Sequence, residues 1–468
     1  MTPMVSTTSG LSAKGEGLFS SQKIGAQYWV GVFQPTLSGA GNVLPTAYAV
    51  DSIGNIYLCA QDQTSLYSYL TKISSGGTLL WQIKLIGGGG SAFTAYNIQI
   101  AASGNIYLFG VDGAYSYSPG GTGVIMKLNS FGTYQWSTIV STSTNYYGMV
   151  LDSSENIYTE RGNSIGYVYV AKTDLNGNLI NYAAVHGPYY TGTFSTSINL
   201  DSSGNVYING SMNYGRTGNS RVGYTYPSEG FLAKFDSSLN LISKYQGNTT
   251  NLFNGKPSID SSGNIWTSGG GNPQYLVPNG TDYNVYTING YLSLANPAGL
   301  ATDTSGNAYV SGVSAGIFYG TGNYWPITQF KMNGSGLSGL NSLSYGWSNY
   351  FDSYVTFTYA QGNGPWSSPY IDSVNNKMYL VGVSTNSGSP VIFITVLPSD
   401  GTHTNWTKSF GSTTISYNSG TLTASPTFGS NGGSSGTFTY GIGPSLTSTT
   451  TASNVTSGTL GTISSLTV

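Results

Sequence analysis

Residues 201–210 read DSSGNVYING, and this phrase decides the fold because close variants of it recur along the chain. The variants are DSIGNIYLCA (51–60), AASGNIYLFG (101–110), DSSENIYTER (152–161), DSSGNIWTSG (260–269), DTSGNAYVSG (303–312) and DSVNNKMYLVG (372–382). The first four copies follow one another at about fifty residues, and insertions change the later spacing. This period indicates a stacked or radial repeat protein rather than a string of separate domains.

Each repeat predicts two β-hairpins. In the fourth repeat, residues 197–210 form two strands around a tight turn, in which Asp201 accepts from turn amides and Gly204 tolerates a positive φ. Residues 230–247, GFLAKFDSSLNLISKYQG, predict a second hairpin that turns at 237–240. Helical periodicity is absent. Four antiparallel strands per repeat predict an all-β fold, a β-propeller in which each blade packs against the next.

The two ends of the chain suggest how the ring closes. Residues 425–443 align with the seventh inner hairpin, and TISSLTV (462–468) would add a third strand to that eighth copy. QYWVGVF (27–33) has the pattern of an outer strand with no preceding partner. We therefore expect eight four-stranded blades, closed by pairing of the N-terminal strand with TISSLTV; the alternative is seven blades plus a C-terminal β segment. Residues 1–25 are expected to be an extended arm and residues 26–468 one propeller domain.

The phrase D-S-S-G-N-[VI]-Y resembles the bacterial and phage β-propeller repeat with a consensus near DSSGNVYVTG, and more distantly the NHL-type repeat. The resemblance covers the seven hairpins and departs from the consensus at Ala101, Glu155 and Asn375. It implies a propeller scaffold without a fixed chemistry, because propellers include hydrolases, lectins, structural proteins and docking platforms.

The composition narrows the function. Charged residues make up 7% of the chain and the net charge is −2, so clustered Lys and Arg for nucleic acid are lacking. No apolar run is long enough to span a bilayer, and the first residues, MTPMVSTTSG, lack the apolar core of a secretory signal, so neither membrane insertion nor ordinary export is expected. Low charge with many Gly, Ser, Thr, Asn and Tyr resembles bacteriophage tail, fibre and capsid-surface proteins.

Several recurring residues are expected to be structural. The lone Cys59 reads as an apolar strand residue, and no cofactor or metal is expected. A carboxylate that closes its own turn needs no calcium, although Asp-x-x-Gly-Asn invites that interpretation. The turn carboxylates are Asp51, Asp152, Asp201, Asp260, Asp303 and Asp372. The repeated lysines are Lys72, Lys127, Lys172, Lys234 and Lys331, and the aromatic residues after the turns, expected to pack blades together, are Tyr57, Tyr107, Tyr158, Tyr207, Trp266, Tyr309 and Tyr379.

Catalysis has little support in the sequence. His186 and His403 stand beside no obvious nucleophile or base. A pair of carboxylates drawn from different blades could still form a glycosidase site, with Asp112, Glu229 and Asp352 as candidates. We therefore expect a non-enzymatic protein and keep a propeller glycan hydrolase as an alternative.

Recognition is expected on the face that carries the long, variable loops, because such loops on a rigid scaffold are where binding usually occurs. Two insertions there combine aromatic rings with two arginines, which suits a protein partner or a stacked glycan. The candidate binding residues are Tyr214, Arg216, Arg221, Tyr224, Tyr226, Tyr345, Trp347, Tyr350, Phe351, Tyr354 and Trp366. The leading hypothesis is a virion component that binds other virion proteins or a host surface and can form a homo-oligomer in an assembly; the alternative is an extracellular lectin or adhesin.

Overall fold

The structure is a computed structural model. It describes residues 18–34, 43–62, 68–85, 87, 93–112, 122–141, 148–162, 167–186, 194–213, 217–219, 223–225, 228–247, 256–260, 262–269, 272–279, 282–289, 294–314, 327–333, 344–351, 355–356, 368–384, 391–410, 413–419, 427–431, 433–435, 439–441 and 465–466. Within these ranges every regular element is a β-strand, and no helix could cross a membrane. 

The strands of the first half are β1 (Leu18–Lys23), β2 (Trp29–Gln34), β3 (Val43–Val50), β4 (Ile56–Asp62), β5 (Ser68–Ile73), β6 (Leu79–Leu85), β7 (Phe93–Ile100), β8 (Ile106–Asp112), β9 (Thr122–Leu128), β10 (Tyr134–Ser141), β11 (Gly148–Leu151), β12 (Ile157–Gly162), β13 (Tyr167–Thr173), β14 (Leu179–His186), β15 (Phe194–Leu200), β16 (Val206–Asn213), β17 (Thr217–Asn219), β18 (Gly223–Thr225), β19 (Ser228–Phe235) and β20 (Leu241–Gly247).

The strands of the second half are β21 (Ser258–Ile259), β22 (Ile265–Gly269), β23 (Asn272–Asn279), β24 (Asp282–Asn289), β25 (Leu294–Thr302), β26 (Ala308–Ser314), β27 (Ile327–Asn333), β28 (Ser344–Phe351), β29 (Val355–Thr356), β30 (Tyr370–Asp372), β31 (Lys377–Ser384), β32 (Val391–Leu397), β33 (Trp406–Phe410), β34 (Thr413–Ser419), β35 (Thr427–Asn431), β36 (Gly433–Ser435), β37 (Thr439–Gly441) and β38 (Ser465–Leu466).

The strands form the antiparallel blades of a propeller, as the sequence predicts. The blades, from the inner to the outer strand, are blade 1 (β3–β6), blade 2 (β7–β10), blade 3 (β11–β14), blade 4 (β15, β16, β19, β20), blade 5 (β21–β24), blade 6 (β25–β28) and blade 7 (β30, β31, β32, β2). The innermost strand of each blade contacts that of the next, and blade 7 returns to contact β3 of blade 1. The chain is therefore an all-β propeller in which the blades close into a ring.

The described residues form eight sheets. Seven of them are the blades, and the eighth is the two-stranded ribbon β17–β18, which lies in the insertion of blade 4. Of the two arrangements that the sequence left open, the strand pairing follows seven blades with a C-terminal β segment.

The N-terminal strand closes the ring, but beside a different partner from the one expected. Strand β2 pairs with β32 of blade 7, with Trp29 opposite Val396 and Phe33 opposite Ile392, and it does not pair with TISSLTV. Strand β1, which lies within the arm expected at residues 1–25, pairs outside β2. Both faces of β2 are buried between neighbouring blades, so this apolar strand belongs in a blade near the ring closure.

The C-terminal strands run around the rim of the disc instead of building an inner hairpin. Each adds one strand outside the outermost strand of an earlier blade: β34 beside β28, β35 beside β24, β36 beside β20, β37 beside β14 and β38 beside β6. Strands of two to seven residues, rich in Gly, Ser and Thr, have too little apolar surface to line the centre of a propeller, but they can still hydrogen-bond to an exposed sheet edge. We call this series of strands the rim segment.

The core lies between successive blades. The middle strands of the blades are the most buried, as in β4 of blade 1 and β32 of blade 7, whose residues are all buried. One apolar cluster joins blades 1 and 2, and another joins blades 7 and 1 through Trp29 and Val32. The aromatic residues that follow the inner turns are all buried, which confirms their packing role.

Candidate functional site

The inner turns are closed by their own carboxylates. Asp201 Oδ1 accepts from the amides of Ser203 and Asn205, at 2.9 Å each. Its Oδ2 accepts from Asn205 Nδ2 at 2.8 Å and from the Tyr207 hydroxyl at 3.1 Å. Gly204 has φ +79°, which favours glycine. Asp51, Asp152 and Asp303 make the same set of bonds. These carboxylates therefore stabilise their own turns.

Two of the five repeated lysines join neighbouring blades. Each ammonium lies over the tyrosine ring of the adjacent strand, at 4.9 to 5.5 Å from the ring centroid in all five blades that carry the pair. Lys127 then donates to the carbonyl of Leu175 at 3.2 Å, and Lys172 donates to the carbonyl of Ser237 at 3.0 Å. Leu175 and Ser237 are both the second residue of the outer turn of the following blade.

Other side chains reach the same turn position. Trp136 Nε1 donates to the carbonyl of Leu175 at 3.2 Å, and Trp29 Nε1 donates to that of Ser75 in blade 1 at 3.0 Å. Trp136 is the residue opposite Lys127 across the outer hairpin. At the boundary between blades 2 and 3, a tryptophan opposite the lysine and a turn carbonyl from the next blade therefore lie together.

Among the described residues, the boundary between blades 4 and 5 differs in two ways. Opposite Lys234 stands the small Ser243, where blades 1 and 2 have tryptophan. The pairing of β23 with β24 in blade 5 is regular, whereas the outer hairpins of blades 1 to 4 contain a β-bulge beside the turn. The result is a cavity of about 220 Å³, lined by Tyr207, Lys234, Ile242, Ser243, Ser262, Gly263, Pro278 and Tyr283.

The polar groups of this boundary cavity converge on Lys234. Its Nζ lies 3.7 Å from Oδ2 of Asp201, and its side chain is 23% exposed. Burial, together with the charge of Asp201, raises the pKa of Tyr207, so its hydroxyl stays protonated. Burial opposes the ionisation of Asp201, but the hydrogen bonds from Asn205, Tyr207 and Ser203 outweigh it and lower its pKa. The cavity therefore presents one ammonium and neutral hydroxyls to a ligand that accepts hydrogen bonds.

The binding residues predicted on the loop face are only partly within the described ranges. Tyr224 lies in β18, and Tyr345, Trp347, Tyr350 and Phe351 lie in β28. Tyr350 is half-buried, whereas Phe351 is a core residue whose ring packs 4.7 Å from that of Tyr417. The others, Tyr214, Arg216, Arg221, Tyr226, Tyr354 and Trp366, lie outside the described residues.

The candidate catalytic groups are dispersed. Asp112 ends β8 in blade 2 and Glu229 lies in β19 of blade 4, so a whole blade separates their sheets, while Asp352 is outside the described residues. His186 is buried, and its ring centroid lies 4.8 Å from that of Tyr167. The ring centroid of His403 lies 5.1 Å from that of Tyr28. Burial raises the pKa of the Cys59 thiol, which makes it unreactive. 

The boundary cavity is not predicted from the sequence. Two differences between the repeats indicate its place: Ser243 replaces a bulky residue, and PNGTDY (278–283) replaces a turn of the DSSLN type. Each change alone looks like ordinary variation between repeats. Only the structure places both changes at the same boundary.

Comparisons with known proteins give similarity of fold only. No protein-family model matches the chain, and no curated protein matches it. Among solved structures, polysaccharide lyase Uly1 is 11% identical with a TM-score of 0.43, over 78% of this chain and 91% of that one. A protein of unknown function from Bacteroides caccae is 11% identical with a TM-score of 0.33, over 67% and 89%. A member of the DUF4221 family from Bacteroides vulgatus is 9% identical with a TM-score of 0.34, over 82% and 99%.

Proposed function

We propose that this chain is a non-enzymatic structural and recognition propeller, a component of a bacteriophage virion at the tail, fibre or capsid surface. The observation that carries the proposal is the rim segment. Its strands complete the outer edges of five blades, so edge pairing with a distant stretch of polypeptide is a binding mode that this scaffold already uses. Components of large assemblies benefit from such pairing, because it needs only short strands and exposed edges.

The use of charge supports the same proposal. With 7% charged residues, the chain employs its repeated aspartates to close turns and two of its repeated lysines, Lys127 and Lys172, to join blades. Many charged groups therefore serve the scaffold, and we propose that the loop-rich face recognises its partner through uncharged and aromatic groups. The loop-rich face, with residues such as Tyr224 and Tyr350, is the surface that we propose for a protein or glycan on the host or in the virion.

Association with particles tests this proposal directly. Phage particles from the source culture are banded by density-gradient centrifugation and analysed by mass spectrometry, and an antibody against the purified chain is used for immunogold labelling. We expect the chain to band with the particles and the label to decorate one substructure. Recovery of the chain only in the particle-free fraction would contradict the proposal.

A further inference from the structure

The cavity between blades 4 and 5, defined above by Tyr207, Lys234, Ser243, Pro278 and Tyr283 among its lining, lies beside Lys234, the counterpart of two lysines that donate to a turn carbonyl of the next blade. At the boundary between blades 3 and 4, the Ser237 carbonyl accepts from both Lys172 and Tyr158, each at 3.0 Å. Lys234 and Tyr207 are the corresponding pair in blade 4. In blade 4 the Tyr207 hydroxyl donates to Asp201 and lies near the Tyr283 phenol, so Lys234 is the member of this pair that can donate to a ligand in the cavity.

We propose that this boundary cavity binds an exposed turn of a partner polypeptide, whose backbone carbonyl accepts from Lys234 as the carbonyl of Ser237 does from Lys172. The ligand chemistry follows from the chain's own repeats, because the group that Lys127 and Lys172 bind is a neutral amide carbonyl at the second position of a tight turn. This inference does not rest on the proposed virion role, and the cavity lies on the face of the short turns, opposite the loop-rich face.

The size of the cavity agrees with such a ligand. Its volume is about 220 Å³, and an apolar cavity of about 150 Å³ is enough to hold benzene. The tip of a turn, with one carbonyl and its flanking atoms, is of that order. Gly263 adds room at the edge, because no heavy atom lies within 4 Å of the position that its Cβ would occupy.

The walls of the cavity also suit a turn. Pro278 and the half-exposed Ile242 offer apolar contact for the flanks of the ligand. Ser243, Ser262 and the phenol of Tyr283 offer hydroxyls to its remaining amide groups. The carboxylate of Asp201 accepts hydrogen bonds from its own turn and from Tyr207. The ammonium of Lys234 is therefore the charged donor at the cavity.

The test uses a cyclic peptide that displays DSSLN, the sequence of residues 236–240, titrated into the full-length protein by isothermal titration calorimetry. A cyclic form is chosen because a preorganised turn loses less entropy on binding. A scrambled cyclic peptide of the same composition is the control ligand. We expect saturable binding of the first peptide only.

Two variants assign that binding to the cavity. Lys234→Met removes the ammonium and keeps the stem, and we expect the affinity to fall by at least about tenfold, as for loss of a hydrogen bond to a charged group. Ser243→Trp places in blade 4 the residue that blades 1 and 2 have there, and we expect it to fill the cavity and abolish binding. Lys172→Met is the matched control, since its carbonyl partner is internal, and it should leave the affinity unchanged.

Thermal melting of each variant establishes that it is folded before its affinity is compared. Equal binding of the scrambled peptide, no binding of either peptide, or unchanged affinity in both Lys234→Met and Ser243→Trp would overturn the proposal. N-acetylglucosamine, which also carries an amide carbonyl, is titrated in parallel. Binding of that sugar in place of the peptide would equally overturn it, because the cavity would then be a glycan site.

Discussion

The carboxylate of Glu155 accepts a 2.5 Å hydrogen bond from the hydroxyl of Tyr107, across the boundary between blades 2 and 3. It also accepts from Asn105 Nδ2 at 3.1 Å. In four other repeats these two donors go to the aspartate of their own turn, as in Asp201, but blade 2 has Ala101 at that place. The two departures from the repeat consensus therefore compensate for each other.

This compensation predicts a rescue. Glu155→Gly should destabilise the protein by about 1 to 2 kcal/mol, because loss of a charged acceptor costs about 1.5 to 3 kcal/mol, partly offset by the relief of a positive φ. Glu155 has φ 61°. Adding Ala101→Asp to that variant supplies the missing carboxylate and should restore most of the stability. Urea denaturation of the two single variants and the double variant measures the coupling, and additive effects would contradict the assignment.

Ring closure by β2 predicts a sharp dependence on the N-terminal boundary of the chain. Deleting residues 1–34 removes β1 and β2, exposes the edge of β32 and unpacks Trp29, which is fully buried. We expect that deletion to yield aggregated protein or a melting temperature lowered by many degrees. Deleting residues 1–17 removes no described strand and should leave the melting temperature within a few degrees of the intact chain. Circular dichroism melts of the two deletions distinguish these outcomes.

The rim segment predicts a local effect when it is removed. Truncation after residue 419 deletes β35 to β38 but keeps every blade strand, so we expect a folded ring. Amides of β14, β20 and β24 should then exchange faster, because their outer edges lose hydrogen-bonded partners. Strand β10 serves as the internal reference, since it pairs only with β9 among the described strands. Hydrogen exchange followed by mass spectrometry measures this, and equal protection before and after truncation would refute the pairing.

The turn carboxylates predict loss of stability in acid. Burial opposes the ionisation of Asp174, Asp201 and Asp400, but hydrogen bonds from their own turns outweigh it, and their pKa values lie below the usual range. Because the folded pKa is the lower one, this stabilisation is present above about pH 4 and is lost as the pH falls through the folded values. Melting temperatures from pH 7 to pH 2 should be level and then fall. Asp201→Asn should show a smaller fall, and an identical profile would exclude Asp201 as a contributor.

Much of the fold could be predicted from local sequence. A turn such as DSSGN specifies its own geometry, since Asp201 bonds to amides only two and four residues away, and the predicted second hairpin at 230–247 forms with its turn closed by Asp236. The lysines could be placed on strands by the same repetition. These features depend on neighbours that are close in the sequence, so one sequence is enough to reveal them.

Long-range pairing could not be predicted in the same way. Strand β2 is apolar and suits any outer position, so its sequence does not distinguish β32 from another edge. The strands β35 to β37 have three to five residues, and nothing in their composition selects one blade rim over another. The boundary cavity could not be predicted for a related reason, because Ser243 and Pro278 come together only when two successive blades pack against each other.

The rim segment visits the blades in descending order, from blade 6 through 5, 4 and 3 to blade 1, which reverses the order in which the ribosome makes them. Strand β38, which is synthesised after every blade, therefore pairs with blade 1, which is synthesised early. A nascent chain can close its ring before the rim segment is made, so co-translational folding should produce a closed ring with unpaired outer edges as an intermediate.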